Sequence, residues 1–385
     1  MYRKNLVFIA ACLGMLLFGV VFLSLGTFSV FIQETLHVDA SRVASLASLL
    51  PFGMLTGSLL FGPVVDRYGY KMLLIICTLL IALSLELVAN AKSMSLMQLS
   101  FFLIGFGGGV INGGTNALVA DIATGGKGAR LSMLGVFYGV GALGMPLLIG
   151  HLSRNFNSGA VISIIGFTVL LPMIFFMVIK FPAPKQKQGF PIKEALSLIK
   201  EPLLLLLGFI LFLESAMEGI IGNWSTTFLK SVNLPVEYAL YALSCEVAAI
   251  ALIRLLLSRL LLKIPTLLIM YSSFALIFTG AVLLIAVSSF PLAILSMLCL
   301  GAGFAACFPV ILGYVGELYA KMTGTAFSIV IVMALTGNTL LNFMVGIVTR
   351  LWGIAYLPVI IMICALCITL VYSIAEKRIP KKTKI

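Results

Sequence analysis

Charge is what this chain has least of. Only 10% of its 385 residues are Asp, Glu, Lys or Arg, 13 acids against 25 bases, where a soluble domain carries about a quarter. An aqueous fold is thereby excluded. The only histidines, His37 and His151, sit at outer helix ends without a partner cluster, and no stretch resembles a phosphate-binding P-loop. No metal site, no cofactor and no ATP-driven step are expected, and the chain is not read as an enzyme. Seven cysteines, Cys12, Cys77, Cys245, Cys299, Cys307, Cys364 and Cys367, all fall inside apolar runs. They read as small apolar fillers; Cys364 and Cys367 have redox-motif spacing, but in the last lipid-embedded helix.

Hydrocarbon replaces the missing charge. Hydrophobic residues make up 61% of the chain, and the mean hydropathy is +1.19. A bilayer must be the solvent. A span needs about 20 apolar residues, and hydrocarbon offers no partner for free backbone groups, so each run should be a helix. Twelve runs are found, over 6–33, 40–66, 70–91, 94–123, 128–152, 159–180, 201–230, 236–261, 264–288, 290–320, 323–348 and 352–376. The first is too long, and too closely followed by a second, to be a cleaved signal peptide.

Basic residues set the expected topology. With both termini cytoplasmic, nineteen Lys and Arg face that side, and five, Arg42, Lys92, Arg154, Lys230 and Arg350, face the other. The net charge of +12 is then positive-inside bias rather than a nucleic-acid surface. The Lys-rich tail after Glu376 reads as an anchor to membrane lipids.

The one long connection, 181–200, contains Pro182, Pro184, Lys185, Lys187 and Pro191 and divides the chain into a six-span bundle over 1–180 and a second over 201–385. Sliding the first half by 196 positions pairs Gly26 with Gly222, Gly105 with Gly301, Gly107 with Gly303, Gly128 with Gly324, Gly141 with Gly337 and Gly150 with Gly346. A duplicated unit is expected. The same offset pairs Asp121 with Glu317 and Arg67 with Lys263. Two related bundles facing a central cavity place a substrate near the midplane.

Between the second and third runs stands Gly62-Pro63-Val64-Val65-Asp66-Arg67-Tyr68-Gly69-Tyr70-Lys71. It resembles the G-x-x-x-D-R-x-G-x-K signature of the major facilitator superfamily, whose members move small solutes by alternating access. Gly62 and Gly69 let two helices approach and turn sharply, while Asp66 and Arg67 can bond the ends of neighbouring helices. The resemblance implies that Asp66, Arg67, Asp121 and Arg130, with Lys71 in the same signature, latch the cytoplasmic side closed. The competing reading is solvated loop charge.

Substrate information must come from polar groups inside the spans. Four acids lie there: Glu86, Glu214, Glu218 and Glu246. A carboxylate at bilayer depth is costly unless paired, hydrated or protonated, so each is a functional candidate. Glu214 and Glu218 share one face of helix 7. Glu218 lies 12 residues, and Glu246 10 residues, from the outer boundary, or about 15 to 18 Å at about 1.5 Å per residue. Near the midplane they could face one another. Two close carboxylates do not both ionise cheaply, so one could load and release a proton; alternatively the pair chelates sodium. Arg254 in helix 8 either pairs with Glu246 or snorkels toward the cytoplasm with Arg259.

The stretch from Glu218 through Gly222 to Trp224 looks like the E-x-x-x-G-x-W segment of the fucose/galactose/hexuronate:proton symporter family. The Gly-rich fourth helix, Gly107 to Ala117, and Phe308-Pro309 are further matches. The resemblance implies a bacterial inner-membrane carrier that takes up a neutral or acidic monosaccharide with a proton, or in some relatives with sodium. Fucose carriers of that family use acids in helices 1 and 4, whereas here helix 1 offers Ser24, Ser29 and Gln33, and helix 4 offers Asn112, Thr115 and Asn116. The coupling site has moved, or the cation has changed.

A sugar needs amide and hydroxyl partners and an aromatic face. Asn112, Asn116, Tyr138, Asn223, Trp224, Asn338 and Asn342 supply that inventory, with Pro146 as the repeat mate of Asn342. Each also has a plainer role: an Asn bonded to a neighbouring carbonyl, or a Trp in the headgroup belt. A monomer is expected. The rival function is proton-driven export of drugs or lipids through a more apolar cavity, which 27 Phe and 17 Met would suit. A non-transporting receptor or scaffold is disfavoured because the buried acids would then be costly without purpose.

Overall fold

The computed structural model describes residues 2–36, 46–185 and 197–380. His37, Arg42, the start of the second run at 40–45, the linker from 186 to 196 with Lys187, Pro191 and Lys193, and Lys381, Lys382 and Lys384 lie outside the described residues, as do the side chains of Ser29, Gln33 and Pro146.

The described residues form helices and no strand. The helices are α1 Lys4–Leu36, α2 Leu46–Tyr68, α3 Tyr70–Ala89, α4 Met94–Ile122, α5 Lys127–Leu152, α6 Ser158–Val178, α7 Pro202–Ser231, α8 Val236–Leu260, α9 Thr266–Ile285, α10 Phe290–Leu318, α11 Thr323–Trp352 and α12 Leu357–Arg378. Single 3₁₀ turns at Ala320–Met322 and Ile354–Tyr356 lead into α11 and α12. All twelve helices among the described residues are long and apolar enough to cross a membrane. Many large apolar side chains, such as Phe52, Leu147, Phe167, Leu252 and Leu370, remain exposed, as a lipid-facing surface requires and an aqueous one does not tolerate.

The helix ends follow local chemistry. Asn157 caps α6 by accepting from the Ala160 amide at 2.8 Å. α2 turns into α3 through Gly69, whose φ of +81° is open to glycine and strained for most other residues.

Two compact units are formed: Met1–Ile122, Phe137–Ala195 and Tyr319–Ser328 make the first, and Ala123–Val136, Leu196–Leu318 and Ile329–Ile385 the second. The first residues of α5 thus pack in the second unit, and the first residues of α11 in the first. α4 packs on α1, α2 and α3 in one unit, as α10 packs on α7, α8 and α9 in the other. Nearly every residue of α4 from Gly107 to Ala120 and of α10 from Gly303 to Gly316 is buried.

The duplication extends to individual contacts. A β-carbon on Gly105 would strike the Leu50 carbonyl oxygen, and one on Gly301 the Glu246 carbonyl oxygen. Gly107 is closed off by Ile81 and the Cys77 carbonyl, and Gly303 by Ile277 and the Ser273 carbonyl. Gly141 lies against the Leu16 carbonyl, and Gly337 against that of Phe212. Every partner is the repeat mate of its counterpart at the offset of 196. Backbones this close leave no room for a side chain, so small residues set the helix spacing in both copies.

Candidate functional site

Pro63 begins the chemistry of the signature. It lacks an N–H, so the Leu59 carbonyl one turn earlier loses its helical partner, and the Ser328 hydroxyl of α11 donates to that oxygen at 2.9 Å and also to the Ser58 carbonyl. Gly62 is bare because Gly324 and Ser328 press on it. One turn on, Asp66 is 2% exposed. Its carboxylate accepts from the Gly324 amide at 3.2 Å, the Thr325 amide at 2.9 Å and the Thr325 hydroxyl at 2.8 Å. These amides are orphan donors at the start of α11, where the helix dipole also favours an anion.

The other signature residues have separate partners. Lys71 donates to the Met177 and Ile179 carbonyls at 2.7 and 3.1 Å, at the C-terminal end of α6. Asp121 accepts from the Tyr70 hydroxyl and from Lys185 Nζ, the latter at 2.6 Å. Lys185 also donates to the Ala320 carbonyl at 2.6 Å and the Thr323 hydroxyl at 2.7 Å. Arg67 lies 5.8 Å from the ring of its neighbour Tyr68. Neither Arg67 nor Arg130 makes an ion pair among the described residues. Nothing in the sequence separated Lys185 from the other linker lysines, and Tyr70 carried no signal at all.

Lys185→Met is expected to destabilise this contact by about 1 to 3 kcal/mol, because Asp121 keeps only its Tyr70 partner. In a double-mutant cycle with Asp121→Asn, measured by denaturation of the purified chain, the two losses should fall short of additive; simple additivity would mean that the pair is not coupled.

In the second unit, the start of α5 lies along α8 and α10. Lys127 Nζ donates to the Gly316 carbonyl at 2.6 Å, and the Ser132 hydroxyl to the Arg254 carbonyl at 2.7 Å. Ser132 and Arg254 are the repeat mates of Ser328 and Ser58, so the same hydroxyl-to-carbonyl bond occurs in each unit.

α7 and α8 bring the acids together. Glu214 is 0% exposed, and neither of its carboxylate oxygens has a hydrogen-bond partner among the described residues. The Glu218 side chain is 31% exposed, with Oε2 4.0 Å from Arg254 Nη2. Arg254 itself is 7% exposed, so it does not snorkel, and its Nε has no acceptor among the described residues. Glu214 and the buried Glu246 are each within electrostatic range of both Glu218 and Arg254. Three carboxylates thus share one guanidinium. Glu86 stands apart in the first unit, where it accepts from the Ser163 hydroxyl at 2.8 Å.

The expected sugar contacts divide between the units. In the first, Asn116 Nδ2 donates to the Asn112 carbonyl at 2.9 Å and to its side-chain oxygen at 3.0 Å, with both residues buried. Tyr138 joins Phe18 and Phe22 in a three-ring cluster, with centroids 5.5 and 5.8 Å away. In the second, α7 and α11 form a polar strip. Asn223 donates to Asn342 at 3.0 Å, Asn342 donates back to the Asn338 carbonyl and side chain, Asn338 lies against Gly219, and Trp224 lies over Gly346. Asn223 is exposed and Asn338, Asn342 and Trp224 are half-buried, whereas Asn112 and Asn116 are enclosed by their own helix packing.

Comparison with known proteins places this arrangement in context. The family described as Major Facilitator Superfamily matches residues 7–341. Among solved structures, the chain is similar to a major facilitator transporter, FucP, in the outward conformation, at TM-score 0.80 and 17% identity over 98% of this chain and 99% of that one. A variant of the E. coli fucose:proton symporter FucP matches at TM-score 0.75 and 18% identity, covering 96% and 98%. The proton:xylose symporter XylE bound to 6-bromo-6-deoxy-D-glucose matches at 0.74 and 16%, covering 98% and 96%. No curated protein sequence matches.

Proposed function

Because the chain belongs to the major facilitator superfamily, we propose that it is a secondary active transporter that takes up a monosaccharide or sugar derivative with a proton or sodium, by alternating access. The observation that carries this reading is the group of three carboxylates around Arg254 inside the spans, with the partly exposed Glu218 next in sequence to Gly219, which lies against Asn338 of the amide strip. A buried group of acids with one basic partner is costly in hydrocarbon unless a cation loads it. Glu218 is assigned as the principal coupling acid, with Glu214 and Glu246 sharing the load. The amides and Trp224 offer the donors, acceptors and flat face that a pyranose needs; Tyr138 and the Asn112–Asn116 pair are separate candidates within the first unit. The signature residues Gly62, Asp66, Gly69, Lys71 and Asp121, with Arg67 and Arg130 nearby, are assigned to the cytoplasmic gate. The localisation proposed is a bacterial inner membrane with both termini cytoplasmic and the chain working as a monomer.

Uptake of radiolabelled monosaccharides into vesicles, under imposed proton and sodium gradients, tests the reading. No accumulation of any sugar, together with gradient-driven extrusion of a hydrophobic dye, would replace it with the exporter. For the true substrate, Asn223→Ala, Asn342→Ala and Trp224→Ala should each cost about 1 to 3 kcal/mol of binding, or roughly 5- to 150-fold in affinity by calorimetry. Near-native affinity in all three variants would move the site elsewhere.

A further inference from the structure

We propose that Arg254 transmits cation loading of the acidic cluster to the first half of α5, releasing residues 127–136 from α8 and α10. The inference rests on the reading of Glu214, Glu218 and Glu246 as the coupling site.

One face of α5 makes this contact. Lys127 and Gly128 meet α10 at the Gly316 carbonyl and at Gly313, Ser132 meets the Arg254 carbonyl, and Gly135 meets the Arg254 side chain. These positions fall on successive turns. A β-carbon on Gly135 would lie 3.1 Å from Arg254 Cδ and 3.2 Å from Nη1, so the missing side chain leaves the slot that the guanidinium occupies. α5 therefore packs directly on the one basic group inside the cluster.

Among the described residues that group is held by charge rather than by hydrogen bonds. Its separation of 4.0 Å from Glu218 exceeds a hydrogen bond, and Nε has no acceptor among the described residues. The groups around it are Glu218 and Glu214 from α7, Glu246 from α8, and Cys307 of α10, which lies within electrostatic range of Glu214 and Glu218. The facing turn of α5 offers Leu131, Ser132 and Gly135, with no acid. When a proton or sodium neutralises Glu218, the guanidinium loses its nearest counter-charge. An under-compensated buried cation is expensive, and on the side of α5 the guanidinium is covered only by the bare backbone of Gly135. Water entering there separates α5 from α8. Linkage runs both ways: parting α5 from α8 must favour cation loading by the same factor.

The repeat supplies an internal control. The equivalent contact in the first unit joins Ser328 to the carbonyl of Ser58, whose side chain is uncharged. Only the α5 contact should respond through Arg254; the first-unit contact has a separate charge, Asp66, which accepts from Gly324 and Thr325 and does not depend on Arg254.

The test uses the full chain in a cysteine-free background, with single cysteines at Ala129→Cys on the α5 face and Ala326→Cys on the control face, and reads alkylation rates at acidic and alkaline pH with and without sodium. Ala129→Cys should label on the order of tenfold faster when the cluster is loaded, a population shift of about 1.4 kcal/mol. Glu218→Gln should fix the fast rate in every condition, and Arg254→Lys should keep the dependence. Arg254→Gln should lose the dependence at Ala129→Cys and leave labelling at Ala326→Cys unchanged. If Arg254→Gln follows pH and sodium as its parent does, the inference is overturned and the coupling assignment stands. A parent that responds to neither cation removes the coupling assignment, and the inference with it. Should Arg254→Gln fail to fold, Gly135→Leu, whose side chain is large enough to fill the space the guanidinium occupies, must give the fast rate throughout; parent-like labelling of that variant also overturns the proposal.

Discussion

Glu218→Gln should abolish gradient-driven accumulation while leaving exchange of labelled for unlabelled substrate largely intact. The amide keeps the shape of the side chain and mimics its neutral state, so the loaded carrier still forms and reorients. What is lost is the unloading that ties reorientation to the cation gradient. The fold should survive, because Glu214 and Glu246 remain within electrostatic range of Arg254. Counterflow and uphill uptake in the same vesicles measure the two halves of the prediction. Normal accumulation by the variant would pass the role of coupling acid to Glu246.

Asp66→Ala should have the largest effect at the gate. The carboxylate is buried and accepts three hydrogen bonds from the first turn of α11. Removing it strands two amides and a hydroxyl at a helix N-terminus, at a cost on the order of 3 kcal/mol, or roughly 150-fold in the closed population. Asp66→Asn retains one acceptor oxygen and should lose less. Alkylation of Ala326→Cys, fully buried beside this contact, reads the change directly. Unchanged labelling in Asp66→Ala would reduce the signature to loop decoration.

Arg67 carries a different expectation: it makes no ion pair among the described residues, which predicts a small effect for Arg67→Ala. The signature made Asp66 and Arg67 look like equal partners because both are charged and adjacent. Whether a charge acts depends on what stands opposite, and the partner of Asp66 is a backbone more than 250 residues away.

The spans were legible because hydrocarbon imposes one rule on every residue of a run, and twelve apolar stretches leave few alternatives. The second-unit amides were legible for a similar reason: Asn is costly in lipid, so Asn223, Asn338 and Asn342 had to find partners, and they found one another. Asn112 and Asn116 obeyed the same rule within α4, and the sequence could not tell an amide facing a cavity from one enclosed by glycine-rich packing. Lys185 was hidden by the positive-inside bias, which gives every linker lysine a sufficient reason to exist. Arg254 was ambiguous because its environment is set by Gly135, a residue about 120 positions earlier on another helix. Periodicity along α8 carries no trace of that slot.

The register-matched glycine contacts divide the molecule into frame and cargo-handling chemistry. The frame is written twice: Gly105 with Leu50 and Gly301 with Glu246 are one joint in two copies. The ionisable chemistry is written once. Glu214, Glu218, Glu246 and Arg254 stand where the first copy has Phe18, Phe22, Leu50 and Ser58, and the amides Asn338 and Asn342 stand where it has Ala142 and Pro146. Glu246 meets its glycine through a carbonyl, which any side chain leaves in place. The polarity of a site on this scaffold can therefore be rewritten without touching the joints that hold it, so an acid grafted at Phe22, a position already exposed, would give the first copy a counterpart of Glu218 while every glycine contact stayed closed.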